Sequence, residues 1–242
     1  MRIQLMSDLH FEMHRDHGKG FIDSLNSVGV DILVLAGDIA YESFHHTPIK
    51  MLCNKYKSVV MVAGNHDFYS SSFDKTRDVL CSLNDQISNF HFLDNDIIRL
   101  GGLRLVGCTM WFRDNPDNVL YQNALNDFNW VKDFGNHVYK ENARSVKFLY
   151  DNLQENDIVV THHMPSADCV HPSYRNGLNS SFNRFYYCEM KELILDRNPK
   201  YWFFGHTHQL VDVNIGSTKC VNNALGYPME KTEFVDKMVF DV

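Results

Sequence analysis

The sequence predicts an α/β protein with a mixed sheet, and three observations carry that expectation. Short apolar runs rich in β-branched residues recur between turn residues, the first three run without alternation, and the segments between those three carry helical spacing. Runs of this kind are buried on both faces, as parallel strands joined by crossover helices are.

Taken in order, residues 3–6, 32–35 and 59–62 read as the first three strands, with helices around 21–28 and 48–56 between them. Residues 103–107, 158–161 and 201–204 read as later strands. The stretches 97–107 and 209–222 have the pattern of hairpins, which adds antiparallel pairs, and 141–153 and 188–195 read as amphipathic helices. No internal repeat, low-complexity tract or linker interrupts the 242 residues, so 1–242 is expected to form one domain. Two stretches resist assignment. Residues 109–139 carry many aromatic side chains among Asn and Asp, and 165–184 form a long polar loop. Loops of this length in a compact domain tend to serve function, so both are expected as walls of a binding site.

The 23 Lys and Arg are outnumbered by 30 Asp and Glu, a formal charge of −7. That balance works against stable binding of a nucleic-acid backbone or an anionic membrane, and an anionic ligand then needs a local positive centre. The six cysteines are scattered with no C-x-x-C pair, which fits reduced thiols rather than a zinc ribbon or a disulfide framework. Asp8 and His10 interrupt the place where a signal peptide needs an apolar stretch, and no run is long enough to span a membrane, so a cytoplasmic location is expected.

Each polar cluster follows directly on a predicted strand, at the sheet edge where open α/β proteins place their ligands. The clusters are Ser7-Asp8-Leu9-His10, Gly37-Asp38, Gly64-Asn65-His66-Asp67, Thr161-His162-His163 and Gly205-His206-Thr207-His208. In an extended segment residues i and i+2 point the same way, so Asp8 with His10, and His206 with His208, each present two ligands to one point. Glycines ahead of Asp38, Asn65 and His206 permit tight turns there. Singly, Asp38 is an ordinary helix cap, Asp8 a turn residue and Asn65-His66-Asp67 a polar turn. Such roles do not explain clusters at five strand ends. The donor types are imidazole, carboxylate and one amide without thiolate, which favours Mn, Fe, Zn, Ni or Co. They exceed the positions around one ion, so two divalent ions are expected. With two carboxylates and one hydroxide the centre keeps a net charge of about +1, which attracts a phosphate. His45 and His46 are expected as solvated residues at a helix start.

The ordered set D-x-H, G-D, G-N-H-D, H-H and G-H-x-H resembles the calcineurin-like metallophosphoesterase superfamily and spans Asp8 to His208. Gly107-Cys108-Thr109-Met110-Trp111, Asn126-Asp127-Phe128 and the segment 161–166 resemble those of a small bacterial and phage-type branch. The resemblance implies a four-layer α/β/β/α sandwich with two mixed β-sheets. It also implies that Asp8, His10, Asp38 and His208 hold one ion and Asp38, Asn65, His162 and His206 the other, with Asp38 bridging. It selects His162 over His163, which is expected to lie behind the ligands or to face the substrate.

The activity that follows is phosphoester hydrolysis, in which a hydroxide held between the ions attacks phosphorus in line. His66 is expected to protonate the leaving oxygen or to hydrogen-bond the phosphate, and Asp67 to orient its ring. Trp111, Phe128 and Trp130 read first as core, with Trp111 and Arg113 as an alternative substrate wall and phosphate contact. An acidic, compact chain points to a small-molecule or nucleotide substrate, a phosphodiester or a phosphomonoester. A nuclease, a protein phosphatase and a scaffold that has lost catalysis are the competing readings, and the complete ligand set speaks against the scaffold.

Overall fold

In the computed structural model, which describes residues 1–176 and 180–242, the chain opens with β1 (Arg2–Met6), α1 (Lys19–Ser24), β2 (Ile32–Ala36), α2 (His46–Lys55) and β3 (Val59–Val62). This is the strand and helix alternation expected from the apolar runs. Next come α3 (Phe73–Gln86), β4 (Phe90–Phe92) and the hairpin of β5 (Asp96–Leu100) and β6 (Leu103–Cys108). Helices α4 (Asn126–Trp130) and α5 (Phe134–Asn152) lead to β7 (Ile158–Thr161), and α6 (Lys191–Arg197) leads to β8 (Tyr201–Phe204). The hairpin of β9 (Asp212–Ile215) and β10 (Thr218–Asn222) precedes β11 (Val239–Asp241).

These strands form two mixed sheets. In the first, β11-β1-β2-β3-β4, β11 runs antiparallel and the other pairs are parallel. The second is β5-β6-β7-β8-β10-β9, with a parallel centre and an antiparallel hairpin at each edge. The near-continuous apolar runs follow from burial on both faces. Along β2, Ile32, Val34 and Ala36 join a core with Ile158, Val160, Phe203 and Val221 of the opposite sheet, while Leu33 and Leu35 pack with Ile22, Ile49, Leu52, Leu80 and Leu83 of the helices. The second sheet does the same: Val159, Trp202 and Phe204 face Leu149, Leu193 and Ile194. Three apolar layers thus hold a helix, sheet, sheet, helix sandwich together, the expected architecture.

Helix α3 goes beyond the expected elements, although its buried Phe73, Thr76, Leu80 and Leu83 have helical spacing and the Ser72 hydroxyl accepts a hydrogen bond from the Lys75 amide (3.4 Å). The two unassigned stretches are chains of short helical turns rather than open loops. Residues 109–139 contain Pro116–Leu120, Gln122–Ala124, α4 and the start of α5, and 165–184 contain Ala167–Cys169, Pro172–Tyr174 and the start of Ser180–Phe185. Residues 177–179 of the second stretch lie outside the described residues. Trp111 is core as read, but Trp130 is not: it is 50% exposed. All six cysteines are free, and among the described residues no helix is long and apolar enough to cross a membrane.

Phe203 is fully buried between the sheets. Truncating it to alanine leaves a cavity that both sheets border, and the expected loss is about 3–5 kcal/mol of unfolding free energy. Denaturant unfolding of Phe203→Ala measures it; a loss under about 1 kcal/mol contradicts the inter-sheet packing described.

Candidate metal centre

The parallel strands of both sheets end at one edge, and their tips interlock. Past β1, the amides of Asp8, His10 and Phe11 donate to the carbonyls of Gly37, Asp38 and Ile39 at 2.9–3.1 Å, which ties the loop after β1 to the loop after β2. Across the sheets, His162 Nδ1 lies 2.9 Å from the Ala36 carbonyl. Close approach explains the small residues here. Gly37 has φ +87°, a conformation that L side chains rarely adopt, and a Cβ on Gly205 would meet the Ala36 oxygen at 2.5 Å.

The expected extended geometry of the ligand pairs is corrected. Strand pairing of β1 and β8 stops short of the clusters, and Asp8 (φ 52°), His10 (φ 45°), Asp38 (φ 58°) and His206 (φ 68°) all sit in the left-handed region. Each such residue costs about 1–2 kcal/mol. Four of them among the expected ligands mark a place where the surrounding structure enforces a geometry the backbone disfavours. The side chains converge through tight turns, not through strand periodicity.

The donor atoms converge in three groups, Asp8-His10-His208, His10-Asp38-His66 and Asp38-His162-His206, the atoms of each lying within 4.8 Å of one another. His10 and Asp38 each belong to two, so the groups form one continuous chain of donors. His10 Nε2 and His208 Nε2 stand 3.2 Å apart, His208 Nε2 is 3.6 Å from Asp8 Oδ1, and His162 Nε2 is 3.4 Å from Asp38 Oδ2. The Asn65 amide oxygen joins the last group, 2.9 Å from His162 Nε2. Its amide nitrogen donates to Asp127 Oδ1 (2.8 Å), which turns the oxygen inward, and the Tyr69 hydroxyl donates to the same carboxylate (2.7 Å). Two imidazoles have their far nitrogen hydrogen-bonded, Nδ1 of His162 by Ala36 and Nδ1 of His208 by Glu230, while Nδ1 of His10 only faces the Glu12 carboxylate at 3.4 Å. Such partners fix ring orientation and direct Nε2 toward a common centre.

Asp8 and Asp38 are buried, at 0% and 2% exposure, and would be costly to ionise without cations beside them. Burial raises the Asp38 carboxyl pKa, but the imidazoles of His162, His66 and His10 hold it well below its usual value. Burial presses His162 toward the neutral form, yet Asp38 and Asp8 hold its pKa up at about 9. His208 is likewise at about 9, burial being outweighed by Asp8 and Glu230. Burial and the neighbouring His162 push His206 well below the imidazole range. Imidazoles thus provide the favourable electrostatic partners of these buried carboxylates, a role that a divalent cation among the same donors would share. Buried carboxylates, converging imidazole nitrogens and one amide oxygen suit such ions.

Other expectations change. Asp67 does not orient His66: its carboxylate accepts hydrogen bonds from the amides of Asp38, Ile39, Ala40 and Gly64 at 2.7–3.2 Å and pairs with His45 Nε2 at 2.7 Å. His45, expected in solvent, is fully buried for that reason. The carboxylate nearest His66 Nδ1 is Glu12, at 3.7 Å, and His66 Nε2 meets the Tyr227 hydroxyl at 3.1 Å. Arg113 donates to the Glu189 carbonyl (2.9 Å) and stays outside the central cavity, and Trp111 is buried against Phe68, Phe73 and Phe134. His163 is buried between Trp111 and His206, with ring centroids at 5.1 and 4.3 Å, behind the donor groups. Glu12, Tyr69, Asp127, Tyr227 and Glu230 were not among the expected site residues. Glu12 extends the D-x-H pattern to D-x-H-x-E, a visible signal; Tyr227 and Glu230 have none, because they arrive from the segment after β10.

Residues 1–210 match a family model described as calcineurin-like phosphoesterase. No curated protein sequence matches. Among solved structures the chain is similar to the phosphopantetheinyl hydrolase PptH from Mycobacterium tuberculosis, with a TM-score of 0.75 at 14% identity over 93% of this chain and 89% of that one. It is also similar to TT1561 of Thermus thermophilus, with a TM-score of 0.62 at 13% identity over 92% and 88%. GAP50, the anchor in the inner membrane complex of Plasmodium, aligns with a TM-score of 0.52 at 11% identity over 98% and 75%. At these identities the likeness is one of fold.

Asp67→Ala strands four buried amides and His45. The expected loss is about 3 kcal/mol or more of stability, read from thermal or denaturant unfolding. A change under about 1 kcal/mol contradicts the role of Asp67 in holding the strand-tip loops.

Proposed function

The chain belongs to the calcineurin-like phosphoesterase family, and on that premise we propose that it hydrolyses small-molecule or nucleotide phosphate esters at a centre of two divalent metal ions. The observation that carries this reading is the sharing of His10 and Asp38 between donor groups. One compact set of donors then serves two neighbouring ions. Asp8, His10, Asp38 and His208 are proposed to hold one ion, and Asp38, Asn65, His162 and His206 the other. Bound ions of this kind supply Lewis acidity toward phosphoryl oxygens and an activated water.

The chain's own groups provide the rest. His66 lines the central cavity next to Asn65 and is 7% exposed, so its ring has limited contact with solvent. Its Nε2 is proposed to hold the proton that the departing alcohol oxygen takes up as the ester P–O bond breaks. Tyr227, at 3.1 Å, steadies that nitrogen, and Glu12 faces the other. Asp127 and Tyr69 hold the Asn65 amide nitrogen, so that its oxygen, not its nitrogen, would be the atom offered to a bound ion. A neutral ligand at this position preserves the positive charge that attracts the phosphate, whereas a third carboxylate cancels much of it.

Metal-stripped protein reloaded with Mn, Fe, Zn, Ni or Co is expected to bind about two ions per chain and to cleave p-nitrophenyl phosphate or bis(p-nitrophenyl) phosphate. Hydrolysis that survives metal removal, or a loaded protein that cleaves neither ester, counts against the proposal. His66→Ala is expected to keep both ions and to lose about 10²-fold in kcat on an alkyl phosphate ester, whose alkoxide needs the proton, and far less on a p-nitrophenyl ester, whose phenolate leaves without one; the outcomes that follow are read on the alkyl ester. An accompanying loss of one ion makes His66 a ligand instead, and a wild-type rate removes it from the mechanism. Asn65→Asp is expected to weaken turnover more than metal retention, as judged by metal content and kcat on the same preparation; equal activity contradicts the charge argument.

A further inference from the structure

The walls of the cavity around the donor groups carry information on the rest of the substrate. The cavity has a volume of about 530 Å³, room for a group well beyond the phosphate. Tyr69, Tyr174, Phe182, Phe185, Tyr186 and Tyr227 line it, and among the described residues no Lys or Arg does. Residues 177–179, Gly-Leu-Asn in sequence, contain no basic side chain either.

The absence of Lys and Arg from the described lining is not for want of arginines nearby. The same two wall segments carry Arg113, Arg175 and Arg184, and each is engaged elsewhere. Arg113 donates to the Glu189 carbonyl, Arg175 to the carbonyls of Val170 and Asp168, and Arg184 to the Ser181 carbonyl while lying over the Tyr121 ring and near Asp117. The carboxylates that line the cavity outside the donor set are Asp127 and Glu230. Both are already bonded, Asp127 by Asn65 and Tyr69 and Glu230 by His208 and the Tyr227 amide, so neither is free to pair with a cationic substrate.

We infer that this cavity selects esters whose one ionised group is the scissile phosphate and whose remaining part is flat and uncharged, such as a nucleoside or an aryl group, against esters carrying a second phosphate. The inference deepens the proposed hydrolysis and rests on it. Aromatic walls stack on a flat group whatever its hydrogen-bonding edge, and a second phosphate in the same space meets Asp127, Glu230 and, among the described residues, no Lys or Arg; the imidazole of the outer wall is His171, whose Nδ1 is held by the Ser173 hydroxyl at 2.7 Å. In the reaction water adds to phosphorus, the ester P–O bond breaks, and the departing alcohol takes the proton; the wall residues decide only which ester is seated.

The test uses three esters with a common leaving group on the Mn-loaded protein: p-nitrophenyl thymidine 5′-phosphate, the same compound with a 3′-phosphate, and p-nitrophenyl methyl phosphate. The thymidine ester is expected to exceed each of the others by about tenfold or more in kcat/KM. Tyr174→Ala with Phe182→Ala is expected to lower kcat/KM on the thymidine ester about tenfold more than on the methyl ester, mainly through KM. Asn183→Lys, which puts a cation in the wall, is expected to narrow the gap to the 3′-phosphorylated ester. Calorimetric binding of the uncleavable phosphonate counterparts is measured in parallel. Equal cleavage or binding of the thymidine ester and its 3′-phosphate, or substitutions that leave the ratios unchanged, overturns the inference alone. No cleavage of any ester, with the binding preference intact, overturns the hydrolytic reading and keeps the selectivity.

Discussion

Asp38 brings its carboxylate, 2% exposed, to the point where the two halves of the site meet. One oxygen accepts the His66 amide at 2.8 Å, and the other lies 3.4 Å from His162 Nε2 and 3.9 Å from His10 Nε2. His10 comes from the loop after β1 and His162 from the end of β7, so this one side chain joins the two sheets electrostatically as well as spatially. A buried carboxylate is tolerated only where positive charge faces it. Much of the architecture around Asp38 serves that requirement.

The requirement explains why backbone strain gathers where it does. Asp8, His10, Asp38 and His206 all take left-handed conformations, and short polar loops would relax from them if free. They are held by the amide ties between the loops after β1 and β2, and by Asp67, which gathers the amides of three consecutive residues from Asp38 to Ala40. The apolar layers beneath, with Phe203 and Val34 between the sheets, fix the strand tips. Rigid strands therefore carry a geometry that the loops alone disfavour, as is common where a site must be organised before its ligand arrives.

Much of this was legible in the amino-acid order. The apolar runs at 32–36 and 201–204 lie on buried strands because every residue in them has an apolar layer to face, and the His and Asp clusters stand at the strand ends where the chain leaves the sheet. What local pattern does not encode is which polar group meets which. Asp67 follows His66 in sequence, yet the turn after β3 sends its carboxylate to the Asp38 loop, while Glu12, far away in sequence, comes to face His66. His45 reads as a surface residue because nothing local foretells the buried carboxylate it pairs with. Tyr227 and Glu230 reach the site only through the return of the chain after β10. Arg113 shows the converse: a basic residue near an aromatic cluster suggests a phosphate contact until the fold gives it a backbone carbonyl.

The central claim is that Asp38 is shared between two cation-binding groups, and the position of bound metal tests it most directly. Crystals grown with Mn and measured near its absorption edge are predicted to show two anomalous peaks per chain, one on each side of Asp38, with Asp8, His10 and His208 around one and Asn65, His162 and His206 around the other. A single peak, or two peaks neither of which touches Asp38, would contradict the account.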